Sequence, residues 1–175
     1  GGRVSRDGQG LEARLRGVAA GAAAVRVAAC DGGDGGETAV VTGFAGPLSG
    51  VLHTAGLLAD RLVQRMAPAQ VASVLSPKAA GATHLHAAVA HSALVALVLF
   101  SSAAAAFGNV GQANYAAANA WLDALARWRG AHGAAASSLQ LPAVGGAGMG
   151  QATMDAGQLA GMWSLGLEQY AACLA

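Results

Sequence analysis

The run Leu94-Val95-Ala96-Leu97-Val98-Leu99-Phe100 places the tightest limit on what this chain can fold into. All seven side chains are apolar, so an extended run here needs cover on both faces. A strand with one wet face alternates between apolar and polar residues. A strand apolar on both faces belongs in the middle of a parallel sheet sandwiched between helices. A membrane helix needs about 20 apolar residues, and this run is far too short for that. Residues 94–100 therefore predict a central parallel strand, and helix and strand signals should alternate around it.

They do alternate. Leu11, Leu15, Val18 and Ala19 share one side of a helical stretch over residues 11–23. Residues 24–29 (AVRVAA) predict a short strand ending at Cys30-Asp31, followed by a flexible stretch, Gly32-Gly33-Asp34-Gly35-Gly36. Val51-Leu52-His53, entered from Gly50 and closed by Ala55-Gly56, predicts another strand. Pro68 suits the first turn of a helix reaching about His91, which Pro77 should kink or divide. A long helix is predicted from Gln112 to Arg129, ended by Gly130. Residues 137–141 predict a last strand stopped by Pro142, residues 145–150 a glycine-rich loop, and residues 167–174 a short helix. Neither an internal repeat nor a domain linker interrupts this order.

Composition narrows the function classes. The 175 residues carry 10 basic and 9 acidic side chains, a net charge of +1, which argues against a nucleic-acid footprint. Cys30 and Cys173 show neither CxxC nor zinc-like spacing and read as reduced thiols of an intracellular, by default cytoplasmic, protein. His53, His84, His86, His91 and His132 form no ligand pattern, so no metal is expected. No signal peptide or membrane span is visible. The first residue is Gly1, with the expectation that the chain is cut from something longer.

The sharpest chemical feature is Ser101-Ser102 at the end of the central strand, with Tyr115 and Asn119 just inside the next helix. Tyr115 and Asn119 are four residues apart and so share a helix face. Ligands of open α/β sheets bind beyond the carboxyl ends of the strands, where Ser102 is expected. A hydroxyl, a phenol and an ammonium meeting there form a carbonyl-reducing set. Serine can hold the substrate oxygen, tyrosine can give the proton, and the ammonium should lower the phenol pKa from about 10. Singly these residues have plainer uses: a serine helix cap, a packed tyrosine, a solvated Lys78.

The segments VLHTAGLLAD, SPKAAGATHLH and LVLFSSAAAAFGNVGQANYAAANAWLDALA resemble the short-chain dehydrogenase/reductase family in its polyketide synthase ketoreductase form. The similarity runs from about Val4 to the C-terminus. Ordinary members place the lysine four residues after the tyrosine. Here Asn119 holds that place and Lys78 stands earlier, the exchange typical of polyketide and fatty acid synthase ketoreductases. Lys78 to Ser102 is 24 residues, Ser102 to Tyr115 is 13, and Tyr115 to Asn119 is 4, all matching the family.

The resemblance implies a Rossmann-like doubly wound parallel sheet and NADPH-dependent reduction of a β-ketoacyl thioester held on an acyl carrier protein. It implies Tyr115 as proton donor, Ser102 as partner of the ketone oxygen, Lys78 as tuning cation, and Asn119 as support for the lysine and a relay water. Ser5-Arg6 resembles the pair that grips the 2′-phosphate, and Asp31 the acidic residue on the adenine amine. His53, Ala55 and Gly56 fall in the HAAG-like turn against the ribose, and Pro142-Ala143 at the nicotinamide carboxamide. Asp60 matches the last residue of the LDD signature of B-type enzymes, and Phe107 stands where A-type enzymes carry tryptophan; Ala59 and Ala117 depart from the B-type pattern.

The family's first strand and TGGxGxxG loop have no counterpart, since Gly1-Gly2-Arg3-Val4 corresponds to the second strand. Residues 1–175 are thus expected to form a partial domain that binds NADPH poorly by itself. A non-reducing scaffold domain and a fatty acid synthase ketoreductase remain as alternatives. A free-standing reductase is disfavoured by the Lys/Asn exchange.

Overall fold

The computed structural model describes residues 16–18, 20–21, 24–144 and 164–172. Residues 16–18 and 20 are helical, within the stretch expected to be. The described chain then alternates helix and strand. Helix α1 (Gly35–Ala45) leads to strand β1 (Gly50–His53) and a single 3-10 turn at Val63–Arg65. A composite helix follows as α2 (Pro68–Leu75), a wide π turn (Ser76–Ala80) and α3 (Gly81–Ala88). Strand β2 (Ala96–Ser102), short helix α4 (Ala104–Phe107), long helix α5 (Ala113–Ala131) and strand β3 (Ser137–Leu141) complete the main unit. Strands β4 (Ala143–Val144) and β5 (Ser164–Leu165) pair with each other before α6 (Leu167–Ala172).

The order β1-β2-β3, all parallel, puts the predicted central strand in the middle. Leu97 and Leu99 on one face of β2 are fully buried against Ala82 of α3 and Leu122 and Ala126 of α5. The strand begins two residues later than its apolar run. Pairing fixes that boundary: Gly50 is the first residue of β1 and sits opposite Ala96, while Val95 is 82 % exposed. The same pairing carries β2 on through Ser101 and Ser102, which lie opposite Gln140 and Leu141.

Three expectations need correction. Residues 24–29 form no strand, and Val27 is 61 % exposed. β-Rich composition makes a strand only where a ladder partner exists, and none of the described residues pairs with this segment. The stretch expected to be flexible after Gly32 instead opens α1: Asp34 Oδ1 accepts from the amides of Gly36 (2.7 Å) and Glu37 (3.0 Å). An aspartate followed three residues later by glutamate is the sequence sign of such a start. Those two bonds hold the Asp34 carboxyl below its ordinary pKa. Finally, α5 runs past Gly130 to Ala131, and the reversal falls on Gly133 at φ 73°, a left-handed conformation that glycine adopts freely. No helix among the described residues is long and apolar enough to cross a membrane.

Candidate active site

All three strands of the main sheet run the same way, so His53, Ser102 and Leu141 mark one carboxyl-terminal edge. Lys78 reaches this region from the π turn. Pro77 has no amide hydrogen to give, and the turn that contains it takes five residues where an α-helix takes fewer. Lys78 is 3 % exposed, and its Nζ donates to the Phe100 carbonyl at 2.7 Å. Burial drives the ammonium pKa down from 10.5 to about 8, opposed by the charge of Asp123. His53 stabilises the turn from below. Its Nε2 lies 3.0 Å from the Lys78 carbonyl, and because a carbonyl only accepts, Nε2 carries the proton. Burial lowers the imidazole pKa, keeping it neutral.

Tyr115 comes from the first turn of α5, its ring centroid 5.5 Å from the Lys78 ammonium. Burial raises the phenol pKa above its ordinary value, while the Asn119 and Ser102 side chains pull it down. The expectation of a phenol lowered from about 10 is corrected: burial outweighs the polar neighbours. A raised phenol stays protonated near neutrality, as a proton donor must. Ser102 Oγ accepts from the Ala104 amide at 3.2 Å, a local turn bond ahead of α4, whose cap residue is Ala103. That bond occupies a lone pair and leaves the hydroxyl hydrogen able to donate elsewhere. Asn119 is fully buried. Its Nδ2 donates to the Tyr115 carbonyl at 2.8 Å, its own carbonyl accepts from Ser101 Oγ at 3.3 Å, and its Oδ1 is buried without a partner.

The remaining candidates scatter around this centre. Asp31 is exposed, with Oδ1 accepting from the Gly33 amide at 2.9 Å. Ala55 is exposed and Gly56 half-buried in the loop leaving β1. Pro142 and Ala143 are half-buried immediately after β3. Asp60 Oδ2 accepts from Gln112 Nε2 at 2.8 Å, whereas Phe107 is 84 % exposed at the end of α4. Ser5 and Arg6 lie outside the described residues, as does Cys173. Among the described residues no group of His, Cys, Asp and Glu is placed to hold a metal ion.

Sequence reasoning passed over Gln112 and Asn114, both 3 % exposed beside Tyr115, and Asp123, 6 % exposed. Asp123 accepts from Ser138 Oγ (2.5 Å) and Gln140 Nε2 (2.7 Å), locking α5 onto β3. For Gln112 and Asn114 the signal was the density of carboxamides between Asn109 and Asn119, four in eleven residues of a segment otherwise mostly alanine and glycine.

Comparison with known proteins identifies the family. Residues 2–146 match the family model described as the KR domain. The chain is 47% identical over 142 residues to polyketide synthase GfsB of Streptomyces halstedii, covering 78% of this chain and 2% of that protein. It is 46% identical over 136 residues to mycoketide-CoA synthase of Mycobacterium tuberculosis, covering 76% of this chain and 3% of that protein. The chain thus spans only a few per cent of these relatives. Among solved structures, the first ketoreductase of the tylosin synthase superposes with a TM-score of 0.85 at 34% identity, over 95% of this chain and 37% of that one. An A-type ketoreductase structure from a modular polyketide synthase gives 0.85 at 34% identity, over 97% of this chain and 36% of that one. With a parallel sheet of the short-chain dehydrogenase/reductase type and a match over most of its length, the chain belongs to the ketoreductase domain family of polyketide synthases.

Proposed function

We propose that this chain serves NADPH-dependent reduction of a β-ketoacyl thioester to the β-hydroxyacyl thioester, on a substrate tethered to an acyl carrier protein within a polyketide synthase. The observation that carries the reading is the gathering of Lys78, Ser102, Tyr115 and Asn119 at the carboxyl edge of a parallel sheet.

The described residues fit the nicotinamide end of such a cofactor. Asn119 Oδ1 is a buried polar atom without a partner, and the Lys78 ammonium has donors beyond the one given to Phe100. Pro142 and Ala143 flank the same edge, with the loop at Ala55 and Gly56 on its other side. When bound, NADPH supplies hydride to the β-carbon. Ser102 donates its hydroxyl hydrogen to the ketone oxygen, orienting the carbonyl. Tyr115 transfers its proton to that oxygen as negative charge develops. Lys78 stabilises the resulting phenolate, because a cation buried in low dielectric acts strongly over a few ångströms. Asn119 fixes the first turns of α5 beneath both groups.

For product configuration we propose the B-type outcome. Asp60 is present and immobilised by Gln112, and phenylalanine replaces the tryptophan of A-type enzymes at position 107. An A-type ketoreductase is among the similar structures, and Asp60 and Phe107 are what carry our B-type assignment. The test is Tyr115→Phe in the full-length chain, assayed with an α-methyl-β-ketoacyl thioester of N-acetylcysteamine and NADPH. Reduction should fall by about a thousandfold or more, with NADPH affinity little changed. Turnover equal to the unsubstituted chain would remove the mechanism, and chiral chromatography of the product tests the configuration.

A further inference from the structure

The segment that carries Asp60 is fastened to the start of α5 by three successive contacts. The Ala59 carbonyl accepts from Asn114 Nδ2 at 3.0 Å, Asp60 Oδ2 accepts from Gln112 Nε2 at 2.8 Å, and the Arg61 amide donates to the Gly111 carbonyl at 2.8 Å. Gly111 adopts φ +79°, and a Cβ added there would come into van der Waals contact with the Arg61 backbone, at 3.7 Å. Asn114 does more than close one rung. Its second Nδ2 hydrogen reaches the Gln70 carbonyl of α2 at 3.2 Å, and its Oδ1 accepts from the Tyr115 amide at 2.8 Å. One carboxamide, 3 % exposed, therefore touches the Asp60 segment, the helix leading to Lys78, and the backbone of the candidate proton donor.

We propose that Asn114 is a positioning residue that locks the Asp60 segment to the turn bearing Tyr115, so that one clamp sets both product configuration and proton-donor placement. This builds on the reductase reading above. Two donors and one acceptor are all used, and no other residue type of this size offers that combination. Aspartate keeps the acceptor for the Tyr115 amide but loses both donors and turns negative oxygen towards the Ala59 and Gln70 carbonyls. Gln112→Ala removes the middle rung while sparing Asn114.

The experiment uses the full-length chain with Asn114→Asp, Gln112→Ala, Asp60→Ala and the Asn114→Asp/Asp60→Ala double variant. The probe is the α-methyl-β-ketoacyl thioester of N-acetylcysteamine with NADPH. Asn114→Asp should lower kcat by about tenfold, the cost of a lost buried hydrogen bond, and raise the minor hydroxy diastereomer several-fold, with the KM for NADPH unmoved. In the double variant the change in product ratio should fall short of the product of the single effects, because both act on one segment. Amide hydrogen exchange should quicken at Arg61, whose own partner Gly111 is untouched. If Asn114→Asp does not fold, Gln112→Ala must show the same altered ratio and faster Arg61 exchange. An unchanged product ratio together with unchanged Arg61 exchange overturns the clamp. An unsubstituted chain that reduces no ketone defeats the reductase reading instead, and the exchange measurement still decides whether the clamp exists.

Discussion

Replacing Lys78 by methionine should abolish ketone reduction and remove the pH dependence that this residue imposes on stability. The lysine is 3 % exposed, bonded through Nζ to a neutral carbonyl, and its pKa falls from 10.5 to about 8 because burial penalises the charge. Between these two values the unfolded chain binds more protons than the folded one, so folding stability rises with pH across that window. Below about pH 8 both states hold the proton and the full penalty applies. A gap of that size corresponds to about 3 kcal/mol, of which about 2.5 kcal/mol should be recovered between pH 7 and pH 10. Methionine keeps the volume and removes the charge, leaving the Phe100 carbonyl unpaired at a cost of about 1–3 kcal/mol. At neutral pH the two proteins should thus differ little, or methionine should be the more stable. By pH 10 the native lysine should have gained about 2.5 kcal/mol relative to it. Urea unfolding of both proteins over this range isolates the effect, since titrations not coupled to Lys78 cancel in the difference and those coupled to it, His53 and Asp123, belong to groups whose ordinary pKa values lie below the window. A difference that stays flat with pH would refute a buried, charge-penalised Lys78.

Two further outcomes test the scaffold. Leu99→Ala opens a cavity where β2 meets α5, at a side chain with no exposure, and should cost about 2–5 kcal/mol in urea unfolding; a cost under about 1 kcal/mol would mean that this face is not packed as described. Gly81→Ala places a methyl group 3.2 Å from His53 Cε1 and 3.3 Å from the Gly32 carbonyl, so it should lower stability by about 1 kcal/mol or more and perturb the His53 ring resonances. An unshifted His53 spectrum would show that the close approach of the two elements is absent.

Much of the site was legible because its spacing survives translation into geometry. Residues four apart on a helix must share a face, and a strand apolar throughout must be central; Tyr115, Asn119 and β2 follow from those two rules. The extent of elements was less legible. Whether residues 24–29 form a strand depends on a partner elsewhere in the chain, not on AVRVAA itself. The start of α1 hid behind its glycines, although Asp34 and Glu37 had the right interval. Least visible was the sign of the Tyr115 shift. Sequence names the ammonium that could depress a phenol, but how far the ring is withdrawn from water is a property of packing. Gln112 and Asn114 were missed for a related reason: a carboxamide announces hydrogen bonds without saying to whom.

The five-residue π turn at Ser76–Ala80 has a consequence for any altered length in this region. Five residues wound as a π turn sweep about the same angle as four in an α-helix, so excising a single residue here would let ordinary winding resume with the flanking helices facing much as they do now. With α3 anchored through His84 to Gly32, what such an excision alters is the place of Lys78 within the turn itself. Such a deletion variant should keep its helical circular dichroism and yet lose the wide turn that brings the ammonium to Phe100.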